Sequence, residues 1–184
     1  MLQLNFTPFP QLETQRLLLR KLTMDDAAEI FFLRSDERVL QFIGREPAIS
    51  LQEAENFIER ISKAIETNES VLWAIALKDD PGRTIGTICY WQIQPENYRA
   101  EIGYVLHPDH WRKGFMQEAI EKVLEYGFEE MKLHSIEARI SSDNTASAAV
   151  LDKTGFTKDA YFKEDFFFRG KFLDTIVYSC LQSV

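Results

Sequence analysis

The spacing of apolar residues alternates between helical and strand-like along the chain. Residues 51–66, LQEAENFIERISKAIE, repeat apolar positions three and four apart, which predicts an amphipathic helix after Ser50. A second helix of about four turns is predicted after Gly114, and Thr23 precedes a third that contains Asp25 to Ser35. Because Ser and Thr are favoured N-caps, both are predicted to begin their helices.

Between and after these helices the pattern is that of strands. Strands are predicted over Arg16–Leu22, Val71–Leu77, Thr84–Trp91, Ala100–Leu106 and Ser135–Ser141, and two more around the FRGK turn. The turns KDDPGR and QPENYR join three of them into an antiparallel meander. A short helix closes on Gly155. The predicted fold class is α/β: a mixed, mostly antiparallel sheet of about seven strands flanked by helices, in a single domain over residues 1–184.

Composition limits the functional classes to which this chain could belong. The chain is 45% hydrophobic with 14 Phe, which predicts an ordered, aromatic core. A formal charge of -8 argues against nucleic-acid binding. Cys89 and Cys180 lie in apolar runs and are interpreted as buried thiols. The N-terminus has no basic start and no apolar run reaches transmembrane length, so we expect a cytoplasmic enzyme or binding domain with no membrane partner.

The stretch HPDHWRKGFMQEAI places a basic, glycine-containing turn between a strand and a helix. A helix N-terminus offers unpaired N–H groups and positive potential, which suit a phosphate. Gly114 lets the backbone approach an anion, and Arg112 and Lys113 add charge. On these grounds alone an ordinary turn is the more common interpretation of such a sequence. The P-loop and dinucleotide glycine motifs are absent from the sequence, which argues against a P-loop NTPase or a Rossmann dehydrogenase.

Several segments together resemble one known family. ETQRLLLRKLTMDDA, IGTICYW, AEIGYVLHPDHWRKGFMQEAI and LHSIEARISSDNTASAAVLDKTGF occur in the order and spacing of the GNAT acyl-CoA N-acyltransferases. The resemblance covers about Glu13 to Leu181, and is strongest to the branch that contains the ribosomal-protein N-terminal acetyltransferases. It implies acetyl-CoA as co-substrate.

The resemblance also implies a cofactor site. WRKGFM matches the pyrophosphate loop, in which Arg112, Lys113, Gly114, Phe115, Met116 and Gln117 surround the CoA diphosphate. Met116 departs from the family's small residue, and its long side chain could crowd the diphosphate. The pantetheine arm is expected in a gap beside a splayed strand, on Val105 and Leu106. Asn144 and Ser147 match residues that touch this arm, although Asn144 is equally a helix N-cap.

For catalysis, the resemblance assigns Glu101 as the base that deprotonates the amine. The alternatives are a solvated strand-edge carboxylate or one paired with Arg99. The family's usual thiolate acid is a tyrosine, but Leu151 occupies its position. Ser141, Ser142 or water could take that role.

The acceptor is an amine, with a protein N-terminus as the first expectation. A polyamine or aminoglycoside, or an acyl-CoA-binding regulatory module with little turnover, stays open. SDERVLQFIGREPA and YFKEDFFFRGKF match the family's acceptor slot, whose carboxylates could receive a cation or could simply be solvated: Asp36, Glu37, Glu164 and Asp165. The three histidines, His107, His110 and His134, have too few partner ligands to predict a metal. A homodimer is compatible with the sequence.

Overall fold

The computed structural model describes residues 1–182, which form an eight-stranded sheet with helices on both faces. Ser183 and Val184, which the single-domain prediction includes, lie outside the described residues. The strands are β1 (Leu12–Glu13), β2 (Leu17–Lys21), β3 (Val71–Leu77), β4 (Asp80–Gln94), β5 (Arg99–Leu106), β6 (Ser135–Ser141), β7 (Thr157–Phe168) and β8 (Lys171–Leu181). The helices are α1 (Ala27–Ser35), α2 (Glu37–Leu40), α3 (Leu51–Glu66), α4 (Phe115–Glu129) and α5 (Thr145–Lys153).

The sheet is antiparallel apart from one central pair. Its strand order is β1-β2-β3-β4-β5-β6-β8-β7, and β5 and β6 are the parallel neighbours. Parallel strands need a crossover, and α4 provides it. The predicted meander is confirmed as β3, β4 and β5, with antiparallel pairing at both junctions.

Alternation along the strands divides the core into two layers. On β3, Trp73 and Ile75 face the side that Ile120 and Val123 of α4 cover. Leu72 and Ala74 face the opposite side, with the buried residues of α1 and α3. We call these the α4 face and the α1 face. Leu151 of α5 is fully buried on the α4 face.

Most predicted elements are confirmed, with differences at short or irregular segments. The helix over residues 51–66 and the strand over residues 135–141 have the predicted bounds. The turn predicted over KDDPGR is wrong in extent: β4 already begins at Asp80, and register shifts near Ala76 absorb the extra residues. The structure has one strand more than the seven predicted. This strand is the two-residue β1, which is too short to show an alternating pattern of apolar and polar residues. Ser50 occupies an N-cap position, but its side chain makes no cap hydrogen bond.

Cys89 and Cys180 are free thiols and half-buried, and burial raises the pKa of Cys89 to about 12. Within residues 1–182, no helix has the length and apolar character needed to span a membrane.

Candidate active site

The two parallel strands separate part-way along their length. β5 and β6 pair over Arg99–Glu101 and Ser135–Glu137. Beyond this, β5 stays on β4 as far as Leu106, and β6 stays on β8 as far as Ser141. The sheet therefore has an opening between the C-terminal halves of β5 and β6, as the resemblance implied.

The backbone of β5 presents one edge to this opening. His107 donates its N–H to the Ile85 carbonyl at 2.8 Å, so odd-numbered positions face β4 and even-numbered ones face the opening. Of the two residues expected to bind the cofactor arm, Leu106 therefore turns its backbone toward the opening and Val105 toward β4. The Leu106 carbonyl accepts the Trp111 indole N–H at 2.7 Å.

The glycine loop forms a concave backbone at the start of α4. Arg112 and Gly114 both adopt positive φ, at 59° and 79°. The first bond of the helix runs from the Glu118 N–H to the Gly114 carbonyl, at 3.1 Å. The N–H groups of Phe115, Met116 and Gln117 precede that bond and point out of the helix end, where a diphosphate is favoured.

An ion pair that the sequence does not indicate supports this loop. Arg16 donates to the Glu118 carboxylate at 2.7 Å and to the Lys113 carbonyl at 3.0 Å. Its guanidinium also lies 4.5 Å from the centre of the Phe115 ring. Glu118 would otherwise place an uncompensated negative charge in the first turn of α4, where the phosphate is expected. Arg16 and Glu118 are about a hundred positions apart, so no local pattern could indicate the pair.

The side chain of Met116 does not add to the crowding of the loop. It is half-buried and packs on the core of the α4 face. The remaining basic side chains, Arg112 and Lys113, are exposed, while Gln117 donates to Glu121 at 2.9 Å. The anion-binding surface of the loop is thus made by backbone, with the charges at its margin.

Glu101 lies where β5 and β6 begin to separate. It is the last residue of β5 that pairs with β6, where it lies opposite Glu137, and it is 8% exposed. Its register partner on β4, Trp91, shares its face of the sheet. Burial raises the pKa of Glu101, opposed by the charges of Arg139 and Arg99 and by the Trp91 indole.

Both alternatives for Glu101 are contradicted. Its carboxylate is buried and so is not a solvated strand-edge group. Arg99 forms its ion pair with Glu137, whose carboxylate is also 3.5 Å from Arg139. Glu101 is therefore a buried acid close to cations but outside their ion pairs, on the α1 face of the sheet opening.

The first turn of α5 covers the opposite face of the opening. The Asn144 side chain accepts the Ser147 N–H at 3.0 Å, which confirms its N-cap role. The Ser147 hydroxyl is 2.6 Å from the hydroxyl of Tyr104 on β5. Tyr104 was not singled out from the sequence, and burial raises its pKa to about 12. Leu151 lies deeper in the core and has no polar group to offer.

The two segments expected to form the acceptor slot contact each other. Glu46, in the loop after α2, forms an ion pair with Arg169 at the β7–β8 turn, at 2.6 Å. In the same loop, a Cβ on Gly44 would overlap the ring of Phe166. Ser141 lies at the end of β6 on the α1 face, in register with Thr175.

Most of the acidic side chains in these segments already have cationic partners. Asp36 caps α2 and pairs with Arg38 at 2.7 Å, and Asp165 lies 3.5 Å from Arg139. Glu164 has a positive φ of 53°, and its N–H donates to Asp174. The slot is therefore less negative than its composition suggests.

The histidines are not arranged like the ligands of a metal ion. His107 stacks on Phe32 with ring centres 4.3 Å apart, and its Nδ1 accepts the Asp109 N–H. Burial lowers the pKa of His110, with a further contribution from Lys113. Within residues 1–182, no group of three or more His, Cys, Asp or Glu side chains could hold a metal ion.

Comparison with known proteins identifies the family. The GNAT acetyltransferase domain model matches residues 16–157, which contain the opening, Glu101 and the glycine loop. The chain belongs to the GNAT acetyltransferase family. It is therefore an enzyme of acetyl transfer, and the resemblance read from the sequence is confirmed.

Individual GNAT proteins resemble it along nearly their whole length. The N-acetyltransferase YoaA of Bacillus subtilis, whose function is uncharacterised, is 37% identical over 174 residues, covering 95% of this chain and 98% of the relative. The spermidine N-acetyltransferase of Vibrio cholerae, solved with CoA and spermine, has a TM-score of 0.81 at 25% identity, covering 92% and 97%. A ribosomal L7/L12 alpha-N-protein acetyltransferase solved with CoA has a TM-score of 0.85 at 18% identity, covering 94% and 98%, which shows the shared fold.

Proposed function

We propose that this enzyme transfers the acetyl group of acetyl-CoA to a primary amine, and that its acceptor is the N-terminal amine of a protein. The observation that carries the proposal is the placement of Glu101, buried at the point where β5 and β6 separate. A carboxylate with a raised pKa at this point is suited to remove a proton from an amine that enters from the α1 face.

The cofactor site that we propose follows the backbone already described. The N–H groups of the glycine loop would hold the diphosphate, and the free edge of β5 the pantetheine arm. Asn144 and Ser147 lie on the far side of the opening, where they would meet the arm. A bound thioester carbonyl would then lie between the α5 side and Glu101.

In the proposed reaction the amine nitrogen forms a bond to the thioester carbon and the carbon–sulfur bond breaks. Glu101 accepts the proton that the amine loses, directly or through water. Backbone N–H groups on the free edge of β5 stabilise the negative oxygen of the tetrahedral intermediate. The departing thiolate needs little acid, because thiolates are stable leaving groups. Ser141 and Ser142 remain the predicted donors to it, and Tyr104 joins them on the opposite face.

The charge of the acceptor slot favours a protein N-terminus over a polyamine. A polyamine carries several positive charges and needs carboxylates that are free to receive them. In this slot Asp36, Asp165 and Glu46 are each paired with an arginine. An N-terminal amine carries one charge and has a pKa of about 7.7 to 8, so roughly a tenth of it is already neutral at pH 7.

Release of free thiol tests the function. The protein and acetyl-CoA would be given peptides with a free N-terminus, the same peptides with a blocked N-terminus, spermidine and an aminoglycoside. We expect turnover with the free N-termini and loss of it on blocking. Turnover confined to spermidine or the aminoglycoside would identify a small-amine enzyme, and acetyl-CoA binding without turnover on any acceptor would favour a regulatory module.

The glycine loop is tested by Gly114→Glu. The carboxylate and the new Cβ would stand where the backbone must meet the diphosphate, so acetyl-CoA affinity should collapse while the fold persists. Gly155→Glu is a matched control, since Gly155 also has a positive φ, of 86°, and open space around it. Equal calorimetric affinities of the two folded variants would refute the assigned loop.

We also propose that the enzyme is cytoplasmic and uses no metal, and that it can form a homodimer. Light scattering at working concentration measures the oligomeric state directly.

A further inference from the structure

A polar pocket lies on the outer surface of the α1 face, between α1 and α3. Its volume is ≈ 200 Å³. The residues that line it are Arg34, Glu53, Asn56, Phe57 and Arg60. The lining residues are outside the glycine loop, the sheet opening and the predicted acceptor slot, although the neighbouring Arg45 belongs to a slot segment.

The guanidinium groups of two arginines in this pocket lie over the same aromatic ring. The guanidinium of Arg34 lies 4.0 Å from the centre of the Phe57 ring, and that of Arg60 lies 5.5 Å from it. The Nε of Arg34 is buried and has no hydrogen-bond partner within residues 1–182. Buried donors are normally satisfied by protein, water or an ion, so the Arg34 Nε–H is a donor that a polar ligand could satisfy.

A third arginine adds to the positive charge of the pocket. Arg45 lies close enough to donate to the Arg34 carbonyl, at 3.1 Å. Burial, together with the charges of Arg45 and Arg60, lowers the pKa of Arg34 to about 10. Among the described lining residues Glu53 is the carboxylate that opposes them, and its Oε2 already accepts the Ile49 N–H at 3.3 Å. Arg34 and Arg60 against Glu53 leave the lining with a formal charge of +1, and the neighbouring Arg45 raises it to +2, on a chain whose total is -8.

We propose that this pocket is a binding site for the phosphate group of a small phosphorylated ligand. The fixed N–H fork of arginine matches phosphate oxygens, and the Asn56 amide can donate a further hydrogen bond. A phosphomonoester carries about -1.5 to -2 charges at pH 7, which balances the pocket, whereas a carboxylate would balance half of it. The volume equals that of about seven water molecules and has room for a phosphate and part of its ester.

The pocket connects to the segment that forms one wall of the acceptor slot. The Arg34 carbonyl accepts from Arg45 and also from the Ala48 N–H, at 2.8 Å. Between these two residues lies Glu46, which pairs with Arg169 of the β7–β8 turn. A phosphate held by Arg34 and Arg45 would therefore fix this loop. An effect on the acceptor depends on the proposed function, but binding of phosphate does not.

The test is calorimetric titration with inorganic phosphate at constant ionic strength. We expect saturable binding with a Kd of about 1 mM or below, weakened at least about 10-fold by Arg60→Gln. Arg60 is exposed at the rim, so this change should leave the fold intact. Lys63→Gln removes an exposed cation from the same helix, outside the pocket, and should change the Kd less than about twofold, because surface charges are screened by salt.

A third variant separates this site from the proposed CoA site. Gly114→Glu should lose acetyl-CoA binding and keep phosphate binding, so each proposal can fail without the other. No saturable phosphate binding by the wild type would overturn the inference. Equal weakening by Arg60→Gln and Lys63→Gln, or loss of phosphate binding in Gly114→Glu alone, would also overturn it, by assigning the effect to general charge or to the glycine loop.

Discussion

Two carboxylates are buried at different places in the fold, and their surroundings differ. Asp26, just before α1, is 1% exposed, and Glu101 on β5 is 8% exposed. Burial acts to raise the pKa of both groups. For Asp26, hydrogen bonds from Arg20, Thr84 and Thr23 outweigh burial, so its pKa is lowered. For Glu101, burial prevails and the pKa is raised.

The difference lies in the number and fit of the partners. The two terminal nitrogens of the Arg20 guanidinium donate to the Asp26 carboxylate, at 2.7 and 2.8 Å. Thr84 donates to it at 2.7 Å, and the Thr23 N–H at 2.8 Å. A buried charge satisfied in this way anchors the start of α1 to β2 and β4. A buried carboxylate that lacks such partners gains protons readily, which is what a catalytic base requires.

The largest effect should come from Asp26→Asn. The change keeps the size of the side chain but leaves Arg20 without its counter-charge, and breaking a buried pair in this way costs about 3 kcal/mol or more. The free energy of unfolding, measured by urea denaturation, should fall by that amount. Asp25→Asn is the matched control, because Asp25 is the exposed neighbour, and it should stay within about 0.5 kcal/mol of wild type. Equal losses in the two variants would contradict the anchoring role.

Glu101→Gln should lower activity and leave stability unchanged, in contrast to Asp26→Asn. It should lower turnover about 10²-fold with acetyl-CoA affinity nearly unchanged, and should not lower stability, since it removes a charge that burial disfavours. Glu137→Gln, on the neighbouring strand, tests whether any nearby carboxylate would do, and should have a much smaller effect on turnover. A Glu137→Gln defect as large as that of Glu101→Gln would remove the base assignment from Glu101.

The two carboxylates should also respond to acid at different pH. The stabilisation from Asp26 is complete above the ordinary value of 3.8 and is lost as the pH falls through its lowered folded pKa. Glu101 has the opposite sign: its raised pKa disfavours the folded state as the pH rises above the ordinary value of 4.5. Activity needs the deprotonated form, so it should decline on acidification while the protein is still folded.

A pH–rate profile beside a circular-dichroism titration measures this separation. On the acid limb both the amine and Glu101 must lose a proton, so log kcat/KM should approach a slope of about 2 in wild type and 1 in Glu101→Gln. Identical slopes, or loss of activity that coincides with unfolding, would contradict the prediction.

The sequence predicted the elements better than it predicted these environments. The helix over residues 51–66 and the strand over residues 135–141 have full, regular periods, so their bounds were accurate. β1 and α2 are two and four residues long, too short for a period to register. The resemblance indicated Glu101 as a site residue, but its burial depends on how β5, β6 and the helices pack.

The missed contacts share one physical reason. The Arg16–Glu118 pair and the Tyr104–Ser147 hydrogen bond each join residues far apart in the chain, through side chains rather than backbone. The local spacing of residue types in the sequence therefore indicates neither contact. Asn144, by contrast, was expected as an N-cap and is one, because capping depends on the three residues that follow it.

The smallest expected effects distinguish the hydroxyl groups on the two faces of the opening. Tyr104 meets Ser147 on the α4 face, whereas Ser141 lies on the α1 face with Glu101. The raised pKa of Tyr104, about 12, is well above the value of about 8.5 for a thiol, so the phenol cannot pass its proton fully to a thiolate. It can still donate a hydrogen bond to the developing charge, worth about 1.5 kcal/mol.

Tyr104→Phe should therefore lower kcat about 10-fold, with acetyl-CoA affinity changed less than that. Ser141→Ala should lower kcat less than about threefold if Tyr104 and Ser147 are the donors nearest the sulfur. Single-turnover rates with one peptide acceptor would measure both variants, because they exclude product release from the comparison. A larger loss in Ser141→Ala would instead assign the thiolate donor to the α1 face, so that the base and the acid of the reaction would act from the same side of the sheet.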